Sequence, residues 1–220
     1  MKKTTFYIIA FLCVVSLSSC YTTQSVPYNN YTVSLVDDKG AVTDSGEALT
    51  YVDSSIIASF AVGKKDISMV LKNQTSNTIK ILWDETLFIR NGSPGKVMHA
   101  GVKYTDRNQS MPPSVVPAGT TFDDVIIPTD NVYWREGYYS QYGSNPGGWE
   151  KKDLLPSYTS TGDKFGVFMP MTVNGSTKEY NFNFKVDGSK TEYKQQRTMN
   201  VAGTTFLILG ISLVPLLFLL

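Results

Sequence analysis

The residues able to do chemistry are few. There is one histidine, His99, and two cysteines, Cys13 and Cys20. Acyl transfer by a Ser-His-Asp relay needs a histidine beside an activated serine. The strained Gly-x-Ser-x-Gly turn that exposes such a serine in many hydrolases is absent. His99 lies between Met98 and Ala100 in a strand-like run, residues 97–104, which suits a structural ring better than a base. The histidines and cysteines are too few for a zinc site built from them. Carboxylates occur as the neighbours Asp37-Asp38, Asp84-Glu85 and Asp123-Asp124. Neighbours on a strand point to opposite faces, so such a pair does not act jointly on one substrate. A glycosidase would need two carboxylates about 5–9 Å apart across a cleft, brought together from separate segments. Neither an EF-hand spacing nor a phosphate-binding Gly-x-x-x-x-Gly-Lys-Ser/Thr run occurs. The expectation is a protein that is not an enzyme and needs no cofactor or metal.

One stretch has the composition of a contact surface. Residues 131–158 carry Tyr133, Trp134, Tyr138, Tyr139, Tyr142, Trp149 and Tyr158, with Gly143, Gly147 and Gly148 between them. Tyrosine and tryptophan combine a large apolar area with a polar handle, which suits protein or sugar surfaces. The stretch reads as a long loop, and loops at the end of a β-sandwich often carry binding. The competing reading is that these rings fold back to cap the core, with Trp149 as the anchor.

The two chain ends decide where such a surface would be displayed. Lys2 and Lys3 precede an apolar run, residues 6–15, followed by Leu17-Ser18-Ser19-Cys20. This is the three-part layout of a secretory signal. Leu17-Ser18-Ser19-Cys20 also resembles the lipobox of bacterial lipoproteins. That resemblance implies cleavage before Cys20, acylation of its sulfur by palmitate-like chains, and Cys20 as the first mature residue. Cys13 would leave with residues 1–19, so the mature chain could form no internal disulfide. A plain signal peptide or an uncleaved anchor is the alternative. Residues 20–30 are polar and read as a tether. Residues 188–202 read as a polar linker, and 203–220 as an apolar segment interrupted by Ser212 and Pro215. As a helix, 203–220 would be about 27 Å long, just enough to span a bilayer. A spanning helix belongs to an inner membrane and many lipoproteins to an outer one, so the choice of membrane stays open. A eukaryotic alternative is a GPI signal, with Gly188-Ser189 as the small residues. The sequons at Asn73, Asn91, Asn108 and Asn174 are compatible with it.

Between the ends lies one domain, expected at residues 31–187. With Lys2 and Lys3 removed, 18 basic residues face 19 acidic ones, which offers nucleic acid no footprint. Period-two runs predict strands. Ile67, Met69 and Leu71 alternate with Ser68, Val70 and Lys72, and Tyr180, Phe182, Phe184 and Val186 alternate with Glu179, Asn181, Asn183 and Lys185. Residues 67–83 read as one hairpin turned at 73–77. Phe165, Val167, Met169 and Met171, the turn Asn174-Gly175 and residues 180–186 read as another. Pro112, Pro113 and Pro117 exclude a central strand over most of 111–119. No stretch of 31–187 has a helical period, so the expected fold is all-β, an antiparallel immunoglobulin-like sandwich with helical segments only at the two chain ends. Residues 66–84, and the run on through Arg107 and Pro128, resemble Ig-like domains of exported bacterial lipoproteins. The resemblance implies this fold and a place in the cell envelope, and no activity. The expected role is a non-enzymatic interaction or assembly module, held at a bilayer, with an envelope protein as partner. Glycan or cell-wall binding through residues 131–158 is the alternative.

Overall fold

The structure, a computed structural model, describes residues 21–140, 143–201 and 204–207. The signal segment 1–19, Cys20, Tyr142 and residues 208–220 lie outside them. The chain divides into two units, Asn29–Lys190 and the flanking segments Met1–Tyr28 with Thr191–Leu220.

Among the described residues seventeen strands follow in order: β1 Tyr21–Val36, β2 Val42–Ser45, β3 Leu49–Val52, β4 Ile56–Val62, β5 Ile67–Asn73 and β6 Ile79–Ile81. Then come β7 Leu87–Arg90, β8 Ser93–Met98, β9 Ser114–Val116, β10 Thr121–Pro128, β11 Val132–Arg135 and β12 Tyr138–Ser140. The last are β13 Gly143–Asn145, β14 Gly148–Lys151, β15 Lys164–Val173, β16 Ser176–Val201 and β17 Thr204–Leu207. The described part of the expected tether, residues 21–30, therefore belongs to β1, and that of the expected linker to β16. The described part of the apolar tail, Thr204–Leu207, is a strand paired with β16. Among the described residues no helix is long and apolar enough to cross a membrane.

The strand order is β2-β1-β16-β15-β7-β8-β10-β5-β4-β3, with antiparallel registers and with β6 bridging β15 and β9. The all-β expectation holds. Two faces of this sheet meet through aromatic rings. Phe60 of β4 lies 4.6 Å from Phe182 and 5.6 Å from Phe184 of β16, and Phe165 of β15 stacks on Phe184 at 5.2 Å. The predicted alternation is realised in β5, where Ile67, Met69, Leu71 and Asn73 are buried and Ser68, Val70 and Lys72 exposed. It also holds in β16, where Tyr180, Phe182, Phe184 and Val186 are buried.

The hairpins divide. Asn91-Gly92 and Asn174-Gly175 make tight turns with φ of 51° and 75°, and 52° and 77°. They join Arg90 to Ser93 and Val173 to Ser176 in register. Positive φ at both positions is what two-residue hairpin turns require, and Asn-Gly supplies it at least cost. The hairpin expected over residues 67–83 is not one. β5 pairs with β4 and β10, whereas β6 pairs with β15 and β9, so the turn at 73–78 carries the chain from one set of strands to the other. Likewise the strand expected through residue 104 ends at Met98, and a 3-10 turn occupies Tyr104–Asp106.

A carboxylate pins the β3–β4 turn to the start of β16. Asp53 accepts the amides of Ser55 at 2.7 Å and Ile56 at 2.8 Å, and the Lys178 ammonium. Burial pushes its carboxyl up, but the Lys178 and backbone donors together outweigh this and hold it below the ordinary value. A depressed carboxylate contributes stability above its unfolded pKa of about 3.9, and that contribution is lost as pH falls through the folded value. Asp53→Asn should therefore flatten the loss of stability below about pH 4, read as urea midpoints across a pH series. An unaltered acid limb would show that Asp53 is not among the groups responsible.

Candidate functional site

The aromatic stretch is an arm rather than an irregular loop. β11 pairs with β14 in the register Val132↔Lys151 to Arg135↔Gly148, and further out β12 pairs with β13, Tyr138 opposite Asn145. The two tiers meet at Gly137 and Gly147, whose backbones lie against each other. A Cβ on Gly137 would sit 2.5 Å from the Gly147 nitrogen, and one on Gly147 would sit 2.7 Å from Cζ2 of Trp134. Both positions therefore require glycine, and the Trp134 indole lies across the space a side chain at 147 would fill.

The root of the arm is held by its side chains. Val132 is buried, and Trp149 packs half-buried against the core. The Arg107 guanidinium sits 4.8 Å over the Trp149 ring, Tyr104 lies 6.3 Å from it, and Trp134 meets it edge-on at 5.6 Å and 72°. An arginine over a tryptophan face is an attractive cation–π contact. On the other face, Glu150 accepts from Arg135 Nε at 2.5 Å and from the Tyr133 hydroxyl at 2.9 Å. Arg135 and then Tyr133 hold the Glu150 carboxyl below its ordinary range, and the Tyr133 hydroxyl is raised in turn by Glu150. The Lys151 ammonium pairs with Asp66, and the Lys152 amide donates to the Asn131 carbonyl at 2.8 Å.

The rings of the arm thus fall into two groups. Trp149 packs against the core, and Tyr133 is tied into the polar face. Among the described residues of the arm, Trp134 and Tyr138 are each 47% exposed and Tyr139 is 86% exposed. Tyr158, 76% exposed, lies outside the arm. Sequence reasoning did not find Arg107, Arg135 or Glu150 as supports. The spacing of Arg135 and Glu150 about a glycine-rich centre is the signal that a paired arm would have supplied.

His99 is built into the structure by a different route. Its Nδ1 lies 3.1 Å from Asp124 Oδ2, and its ring stacks on Trp83 at 4.5 Å. Asp124, 8% exposed, also accepts the amides of Ala100 at 2.8 Å and Val125 at 2.7 Å. Asp123 is exposed on the opposite face of β10, as strand alternation requires. Asp84 caps a loop instead, accepting from the Ser110 hydroxyl and the Met111 amide; the Ser110 contact is the leading cause of its lowered pKa. No serine hydroxyl is bonded to His99 among the described residues, and no group of three metal-ligating side chains gathers there.

The chain matches no protein-family model, and no curated protein or solved structure matches it significantly.

Proposed function

We propose that this is a bacterial envelope lipoprotein, anchored through lipid on Cys20, whose β-sandwich is a non-enzymatic module that docks an envelope protein through the β11–β14 arm. The observation that carries the docking role is the arm itself: Trp134, Tyr138 and Tyr139 exposed on a hairpin whose root is fixed by Trp149, Arg107 and Glu150. A preorganised aromatic surface loses little freedom on binding. The 72° angle between Trp134 and Trp149 offers no flat two-ring platform for a sugar, which favours protein over glycan at this site.

The sandwich is of immunoglobulin-like type in this reading. β5 and β10 lie together, β6, β15 and β16 lie together, and Trp83 follows the crossover strand β6. That arrangement parallels the B–E and C–F–G groupings of such domains. Of the four sequons, those at Asn91, Asn108 and Asn174 are exposed and the one at Asn73 is not. It is fully buried, and its side-chain nitrogen donates to three carbonyls, so this sequon cannot carry a glycan in the folded protein. Anchoring follows from acyl burial at about 0.8 kcal/mol per methylene, with more than one chain needed for lasting attachment. Tyr28 Oη donates to Glu192 at 2.7 Å, which is compatible with both chain ends facing one bilayer.

The test uses full-length protein extracted from membranes. Its mass should show loss of residues 1–19 and gain of acyl chains, both absent in Cys20→Ala. Crosslinking in intact envelopes should capture one protein partner, and Trp134→Ala with Tyr139→Ala should lower that capture at least about tenfold at unchanged melting temperature. Capture that survives the double replacement would remove the arm from the reading, and an unlipidated mass would remove the anchor.

A further inference from the structure

A second site lies away from the arm, in a cleft of 220 Å³ lined by Asp37, Asp38, Ile89, Lys164, Gly166 and Asn183, among others. It is built on the outer side of the sheet. Phe165 and Val167 are buried in the core, so Gly166 between them faces away from it. Gly166 stands opposite Ile89 of β7 on one side and Asn183 of β16 on the other. Phe88, beside Ile89, and Phe182 and Phe184, beside Asn183, are buried, so these two neighbours face outward as well.

The Phe182 carbonyl and the Asn183 side chain close over Gly166. A Cβ there would meet the Phe182 carbonyl at 2.9 Å and Asn183 Oδ1 at 3.1 Å. Glycine inside a strand often marks the close approach of another group. The Asn183 amide is held across it by donating to Asp38 Oδ1 at 3.2 Å. Asp37 uses one oxygen to accept the Lys39 and Ala41 amides, at 3.0 and 2.7 Å. Lys164 lies across Gly40, its Nζ 2.8 Å from where a Cβ would be, and Gly40 has a φ of +84° that favours glycine. Gly166 and Gly40 thus let Asn183 and Lys164 lie close against the backbone, and both of these side chains line the cleft.

The geometry points to a binding site for a single sugar ring, free or at the end of a glycan. The two carboxylates, the ammonium and the amide leave a net charge of −1, which disfavours an anion. They place donors and acceptors side by side, and sugar hydroxyls do both. Ile89 supplies an apolar patch for the C–H face of a ring. The volume is below the roughly 300 Å³ at which drug-sized pockets begin, so it takes one ring rather than a chain. This site is independent of the docking role given to the arm.

The experiment is saturation-transfer NMR on the full-length protein in a sugar-free detergent. The probes are glucose, galactose and N-acetylglucosamine, each alone and as a short oligosaccharide. At least one should bind saturably, and Asp38→Ala and Lys164→Ala should each weaken it about tenfold or more. Trp134→Ala should leave it unchanged. Preference for the oligosaccharide would identify a glycan end, and equal binding a free sugar. Absence of saturable binding by every probe would overturn the site. So would binding that ignores Asp38→Ala and Lys164→Ala, or that only Trp134→Ala removes.

Discussion

Asn73→Ala should lower the unfolding free energy by about 3–5 kcal/mol, seen as a lower urea midpoint with an unchanged slope. Asn73 ends β5 where the chain leaves one set of strands for the other. It is fully buried, and its side-chain nitrogen donates to the carbonyls of Asn77 at 2.7 Å, Val116 at 3.0 Å and Pro117 at 3.1 Å. Its Oδ1 accepts the Thr75 amide at 2.9 Å and the Thr75 hydroxyl at 2.8 Å. Alanine would leave the Val116 carbonyl facing a void, and each buried group so stranded costs about 1–3 kcal/mol. Asn73→Asp separates the halves of this network. It keeps the acceptor for Thr75 but turns three donated bonds into repulsion between a carboxylate and carbonyl oxygens. Aspartate should therefore be no better than alanine. If aspartate were tolerated, the three carbonyl contacts would not be what secures the crossover.

Asn73 also shows why part of the fold was legible in the sequence and part was not. Alternation is a local property, so the buried faces of β5 and β16 could be read from Ile67, Met69 and Leu71 and from Phe182 and Phe184. The Asn-Gly turns were legible for the same reason, since a two-residue turn fixes its own partner strands. The segment 73–78 has the turn composition of a hairpin, yet it crosses between strand sets. What decides this is Asn73 bonding to Val116 and Pro117, 43 and 44 residues away. No local pattern encodes so distant a partner. The arm follows the same rule. Its exposed rings were evident from composition, but pairing Trp134 with Trp149 depends on Gly137 and Gly147 meeting across it, and the Arg107 support comes from a separate loop. Asp124 was read only as half of an adjacent carboxylate pair. Its partner His99 is 25 residues away and stacks on Trp83, so both look unremarkable in the chain.

Trp83→Ala should cost about 3–5 kcal/mol, the range for removing a large buried aromatic side chain. Trp83 is 1% exposed, and its Nε1 donates to the Ser114 hydroxyl at 2.8 Å, tying the turn after β6 to β9. Trp83→Phe keeps much of the apolar contact but loses this hydrogen bond and some volume, so about 1–2 kcal/mol is expected. The comparison becomes informative when His99→Gln is added. If His99 is structural, its value depends on the indole face it stacks upon, 12° from parallel, and on Asp124 behind it. The two replacements should then be strongly non-additive, because Trp83→Ala already removes the surface that positions the ring. His99→Gln alone should be destabilising, since Asp124 keeps its two backbone donors but loses its side-chain partner. Strict additivity, with His99→Gln leaving stability unchanged, would separate His99 from the packing around it. Its conjunction with a buried carboxylate would then need a chemical explanation, and the non-enzymatic reading of this domain would have to be revisited at this dyad first.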